Sequence, residues 1–202
     1  MKKILTTITF IAISINCFAQ EMKYENGELS IKFINSKKVS NKFNMNSTSK
    51  IKSKDLNKVL IKCKLKIIKD KVIDLNKFSL VDHENKLRYR PTDISTQTVG
   101  QINISKLLKT DVKLGGMYKL QAGLYYRPEV KDSFTDYNIE GYTNFEIFYS
   151  FGKGKKMKKA SLYFQPVKFN FKAHFFFAIL KKSNNSNLEL YYGNKKITDI
   201  AF

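Results

Sequence analysis

The chain has 202 residues, of which 43% are hydrophobic and 13% aromatic, and it carries 37 basic against 17 acidic residues. This share of core-forming residues excludes a disordered chain, and the length suits one domain. The formal net charge of +20 favours attraction to anionic partners such as lipopolysaccharide, teichoic acid, acidic polysaccharide or nucleic acid.

The type of basic residue changes how this charge is interpreted. Arginine occurs only at Arg88, Arg90 and Arg127, whereas lysine, asparagine, isoleucine and phenylalanine abound, as AT-rich codons would produce. Arginine is also the residue favoured for bidentate phosphate recognition. We therefore predict no specific nucleic acid recognition and interpret the charge as mainly a solvated surface set by composition.

Residues 1–19 have the pattern of a Sec signal peptide. Lys2 and Lys3 precede an apolar stretch, and Ala19 is the small residue before the predicted cut. A lipoprotein signal at Cys17 is the alternative, and the apolar run is too short for a spanning helix. We expect a secreted or periplasmic protein with no transmembrane segment in its mature form, and residues 20–202 are predicted to form a single domain.

Apolar residues alternate with polar ones along most of the chain. The clearest case runs from Val59 to Ile67, where lysines occupy every second position and Cys63 falls among the apolar residues. This period of two predicts a strand with one face on the core, so Cys63 is predicted to be a buried, inert thiol. One thiol cannot form an internal disulfide.

Further alternating segments follow the same rule. We predict strands or hairpins at residues 29–33, 78–91, 117–126, 145–150, 161–164 and 169–192, the last two strands of which would form a closing hairpin. Between Thr92 and Gly116 the pattern predicts a short strand that leads into a helical insertion. The fold class is therefore all-β, an antiparallel β-sandwich with a short helical insertion.

Part of this pattern resembles the immunoglobulin-like domains of small secreted bacterial proteins of unknown function. The resemblance rests on the lysine-backed strand, then Phe78, Leu80 and Asp82, a polar turn, and Tyr89. Asn85 stands in the turn where that family often has glycine. The resemblance implies an immunoglobulin-like sandwich and an exported location, and it implies no activity.

No sequence motif indicates catalysis, a metal or a cofactor. The Gly152 to Lys156 segment lacks the spacing and the terminal Ser or Thr of a phosphate-binding loop, and it is predicted to be the tip of a hairpin. His83 and His174 lack partners at the spacing of metal ligands. The densest basic patch, which we call the hairpin patch, is the predicted docking site for an anionic partner; it comprises Lys153, Lys155, Lys156, Lys158 and Lys159.

The sequence thus favours a non-catalytic binding protein of the cell envelope or the secreted fraction. Its partner is predicted to be an envelope protein or an anionic cell-surface polymer, bound through strand edges and loops. Two alternatives remain open: a secreted hydrolase acting on polysaccharide or peptide, and a basic adhesin or toxin-like protein acting on anionic surfaces. Phe176 shares an outward face with His174, which requires either a covering layer or an exposed apolar patch.

Overall fold

A computed structural model of the protein describes residues 23–41, 51–96, 106–109, 131–151 and 154–202. The predicted signal peptide and Lys153 lie outside these ranges. Within them, no helix is long and apolar enough to cross a membrane.

The described residues are mostly β-strand with four short 3-10 helices. In chain order the strands are β1 (Lys23–Glu25), β2 (Leu29–Val39), β3 (Leu56–Ile67), β4 (Phe78–Asp82), β5 (Leu87–Tyr89), β6 (Pro91–Thr96), β7 (Lys106–Lys109), β8 (Thr143–Phe145), β9 (Tyr149–Phe151), β10 (Lys158–Phe164), β11 (Phe171–Leu180), β12 (Leu188–Tyr192) and β13 (Lys195–Ile200). The 3-10 helices are Leu75–Lys77, Ser133–Asp136, Gly154–Lys156 and Lys181–Asn185.

Two five-stranded sheets form a sandwich, which confirms the predicted fold class. Sheet 1 has the order β1-β2-β3-β11-β6, and sheet 2 has the order β13-β12-β4-β5-β8. Neighbouring strands in both sheets are antiparallel, except that β5 and β8 run parallel. A third sheet has three strands in the order β7-β10-β9.

The core lies between sheets 1 and 2, where the apolar residues of the alternating strands meet. Phe175 of β11 packs against Phe78 of β4 with ring centroids 4.3 Å apart, and Tyr192 of β12 lies 4.9 Å from Phe78. Cys63 is buried in the same core, and burial raises the pKa of its thiol. This placement confirms that Cys63 is a small core residue.

The turn between β4 and β5 confirms the predicted hairpin of residues 78–91. The Asp82 carboxylate accepts hydrogen bonds from the backbone N–H of Asn85 at 3.0 Å and from its side-chain amide at 2.8 Å. Asx-type hydrogen bonds of this kind close the turn without a glycine. Many strand topologies form a β-sandwich, so the immunoglobulin-like resemblance stays a prediction.

Two predicted elements are corrected. The segment 169–192 is not a hairpin, because β11 belongs to sheet 1 and β12 to sheet 2, and the 3-10 helix Lys181–Asn185 carries the chain across. The true closing hairpin is β12–β13. Of the predicted segment from Thr92 to Gly116, residues 92–96 belong to β6 and residues 106–109 form strand β7, paired with β10. The rest of that segment and the predicted strand at 117–126 lie outside the described ranges.

Candidate functional site

The hairpin patch lies where the sequence predicted a turn. Strands β9 and β10 are antiparallel neighbours, and the 3-10 helix Gly154–Lys156 stands between them. Lys155 and Lys159 are exposed. Lys156 ends the 3-10 helix and Lys158 begins β10, whereas Lys153 is outside the described residues. The structure therefore gives this patch two exposed lysines near a hairpin tip.

A second and more regular group of lysines lies on the outer face of sheet 1. Lys23 of β1 is directly opposite Lys32 of β2, Lys32 is opposite Lys64 of β3, and Lys64 is opposite Lys172 of β11. We call these four residues the lysine row. Each alternates with core residues on its own strand, so all four side chains point away from the sandwich.

The spacing of the lysine row is set by the sheet. Neighbouring strands are about 4.8 Å apart, so the four backbone positions span roughly 15 Å at right angles to the strands. Like charges directly opposite each other destabilise a sheet. The lysine row therefore brings four positive charges together at positions where their repulsion lowers the stability of the sheet.

Few acidic residues offset this charge. Strands β2, β3 and β11 contain no aspartate or glutamate. Glu25 of β1 forms an ion pair with Lys23 at 2.5 Å, and the hydrogen bond from Lys23 is the main reason that the pKa of Glu25 is lowered. Lys62 and Lys66 extend the positive surface along β3, on the same face as the row.

The outer face of sheet 1 changes from exposed to buried along β11. Lys172 is exposed, but His174 is only 3% and Phe176 only 1% exposed. The burial of Phe176 excludes the exposed apolar patch that the sequence had left open. His174 thus lies at the boundary between the lysine row and a covered region.

His174 has unusual surroundings for a buried imidazole. Among the described residues, neither of its ring nitrogens has a hydrogen-bond partner, and the same holds for the hydroxyl of Ser95, which lies directly opposite on β6. Burial, and then the positive charges of Lys62, Lys172 and Lys37, lower the pKa of His174. Both effects favour the neutral form of the imidazole.

His83 belongs to a different and fully bonded cluster at the surface of sheet 2. Its Nε2 lies 2.6 Å from Glu189 Oε2 and its Nδ1 lies 2.6 Å from the hydroxyl of Tyr142. Tyr191 and Lys196 also donate to Glu189, at 2.9 Å and 2.6 Å. Burial alone would raise the pKa of Glu189, but these hydrogen bonds outweigh it and lower that pKa.

The His83 cluster joins the β4–β5 turn to β12, β13 and the segment before β8. It supplies no metal site, since no group of three or more His, Cys, Asp or Glu ligands exists among the described residues. Every member has a partner, so the cluster is explained by structural cohesion.

A groove of about 560 Å³ lies between β2 and the edge strand β13. Its lining comes from residues 33–36, 187–188 and 199–201, and the Ser36 hydroxyl donates to the Ala201 carbonyl at 2.6 Å. The pairing of β2 with β3 is interrupted by a bulge between Phe33 and Asn35. Bulges are one means by which proteins protect open strand edges. The edge of β2 beside the groove is therefore poorly suited to pairing with another strand.

Comparison of the chain with protein-family models, with curated proteins and with solved structures gave no match. Functional inference for this sandwich therefore rests on the arrangement of its own residues.

The lysine row was not identified from the sequence, although a partial signal was present. The alternation of lysine with apolar residues in β3 predicted outward lysines there. That Lys23, Lys32 and Lys172 line up beside Lys64 depends on strand order and register. Residues more than a hundred positions apart become neighbours in this way, and no local pattern reports it.

Proposed function

We propose that this protein is a non-catalytic binding protein of the cell envelope or the secreted fraction, and that the lysine row binds an anionic cell-surface polymer. The observation that carries the proposal is the cross-strand alignment of four lysines on the outer face of sheet 1, three of them exposed and Lys32 half-buried. A polymer with regularly spaced negative charges would relieve the repulsion within the row and contact several lysines at once.

Flexible lysine side chains suit this kind of ligand. Each ammonium group is a mobile point charge with three donors, and it does not impose the planar geometry that arginine would. A row of such groups is suited to binding a chain with a high density of negative charge. It is poorly suited to recognising one phosphate group by its geometry. This argues against specific nucleic acid recognition and favours an acidic polysaccharide or a teichoic acid.

The sheet face supports binding better than the strand edges do. The open part of β2 is bulged and carries the exposed Lys37 and Lys38, features that discourage strand addition. We therefore place the proposed contact on the outer face of sheet 1 and not in the groove beside β13. Export through the signal peptide, which would bring the protein to such polymers, is part of the same proposal.

Titration with dextran sulfate, with uncharged dextran as the control, tests the binding function. We expect dextran sulfate to bind and dextran not to bind. For nucleic acids the logarithm of affinity falls with the logarithm of salt concentration by about 0.7 to 0.9 per phosphate contacted. Contact with the whole row therefore predicts a slope near −3. Absence of binding, or a slope near zero, would contradict the proposal.

A second experiment separates the binding function from the hydrolase alternative. A hydrolase would shorten its polymer or peptide substrate over time, whereas a binding protein returns the ligand unchanged. Incubation with a panel of acidic glycans and peptides, followed by size analysis, is expected to show no cleavage. Cleavage that one acid-to-amide substitution abolishes would favour the hydrolase instead.

A further inference from the structure

Three buried polar atoms beside the lysine row lack a hydrogen-bond partner among the described residues. More than nine in ten buried polar groups in proteins have a hydrogen-bond partner, and an unpartnered one costs about 1–3 kcal/mol. Within the part of the chain that the structure describes, both ring nitrogens of His174 and the hydroxyl of Ser95 lack a partner, and each residue is only 3% exposed. Three such atoms on two adjacent residues are unusual.

The strand register places these atoms side by side. His174 of β11 is directly opposite Ser95 of β6 on one side and directly opposite Lys62 of β3 on the other. All three lie on the outer face of sheet 1. Lys172 is two residues before His174 on the same face of β11, so the lysine row and His174 occupy neighbouring positions.

The charges around His174 are predominantly positive. Lys62, Lys172 and Lys37 each disfavour its protonation. Asp93 is the acidic residue of β6; it is buried, and it lies opposite Phe176, two residues further from the row than Ser95. The described groups that face the imidazole are thus lysines and a hydroxyl, with the carboxylate set further along the strand.

We propose that His174 and Ser95, together with Lys62 and Lys172, form a subsite for one oxyanion group of the polymer that the lysine row binds. This inference rests on the proposed function and assigns the subsite to a single phosphate, sulfate or carboxylate group. The neutral imidazole supplies one N–H donor and the hydroxyl of Ser95 supplies another. Lys62 and Lys172 supply the balancing charge.

The subsite makes binding depend on pH in a defined direction. An oxyanion beside the ring favours the imidazolium, which has two N–H donors and a positive charge. Because binding and protonation are linked, the anion must raise the pKa of His174, and protonation must tighten the binding of the anion. Affinity at this subsite therefore increases as the pH falls.

The test is an NMR titration of the two histidines in the unmodified protein. The pKa of His174 is measured in chloride and then in inorganic phosphate at matched ionic strength, with His83 as the internal reference because its ring nitrogens are already bonded to Tyr142 and Glu189. We expect phosphate to raise the pKa of His174 by about one unit, equivalent to roughly tenfold tighter binding to the protonated form, and to leave His83 unchanged. An unchanged His174, or equal changes at both histidines, would overturn the subsite.

Two variants identify the donors. Ser95→Ala and Lys62→Gln are each expected to reduce the phosphate-induced change in the pKa of His174. The control is Lys195→Gln, at an exposed position on sheet 2, and it should leave that change unaltered. An undiminished change in both variants would contradict the assignment. Failure here is distinct from failure of the proposed function: if dextran sulfate binds the lysine row and phosphate leaves His174 unaffected, the subsite alone is overturned.

Discussion

Replacing Phe175 by alanine is expected to lower the free energy of unfolding by about 3–5 kcal/mol, the usual cost of removing a buried aromatic ring. Phe175 is fully buried at the centre of β11, paired with Ile61 on one side and Ile94 on the other. Its ring packs against Phe78 of the opposite sheet. The substitution therefore leaves a cavity between the two sheets.

Chemical denaturation of the wild type and the variant measures this loss. Phe169→Ala is a matched control because Phe169 is 49% exposed and precedes β11, so we expect it to cost less than about 1 kcal/mol. Folded domains are commonly stable by only about 5–15 kcal/mol, so the loss expected for the Phe175 variant is a large fraction of the total. Equal losses for the two variants would contradict the assignment of the core.

The triple variant Lys32→Gln, Lys64→Gln and Lys172→Gln is expected to bind dextran sulfate roughly 100-fold more weakly. The estimate takes about 1 kcal/mol for each lysine that contacts an anionic surface. The same variant should be slightly more stable than the wild type, since it removes like charges placed opposite one another. Exposed charges are screened, so the stabilisation is expected to be about 1 kcal/mol or less.

The matched control removes the same charge elsewhere: Lys155→Gln, Lys159→Gln and Lys195→Gln, all at exposed positions. Isothermal titration and thermal unfolding are measured on both triple variants. We expect the control to keep most of the affinity, since it retains the row. If the two variants lose affinity equally, net charge alone determines binding and the lysine row has no special role.

Local alternation was sufficient to predict much of the fold. Val59, Ile61 and Cys63 were assigned to the core from a period of two, and all are fully buried. The β4–β5 hairpin was also predicted, because its turn chemistry lies within a few residues of Asp82. In each case the information that determines the structure is contiguous in the sequence.

What the sequence could not supply is which strands become neighbours. The segments 171–180 and 188–192 have the pattern of a hairpin, yet they enter different sheets, because a 3-10 helix provides a crossover where a turn was predicted. Strand β13 was missed, since its residues Lys195 to Ile200 alternate only weakly. Local periodicity reports which face of a strand is buried and carries no information about its partner.

The same limit applies to the candidate site. The hairpin patch was conspicuous because its five lysines lie within seven consecutive positions of the chain, whereas the lysine row is assembled from four strands. His174 was recognised as outward-facing, but its burial and its position opposite Ser95 follow from the sheet order. The proposed function therefore depends on which residues the strand register brings together, and no sequence motif indicates it.

Amide chemical-shift mapping of the isotope-labelled protein during titration with dextran sulfate tests the central claim most directly. The account predicts that the largest shifts occur in β1, β2, β3 and β11 around the lysine row, and that they diminish as salt is added. Shifts concentrated in residues 154–159, with the row unaffected, would contradict it and would place the binding surface on the hairpin patch.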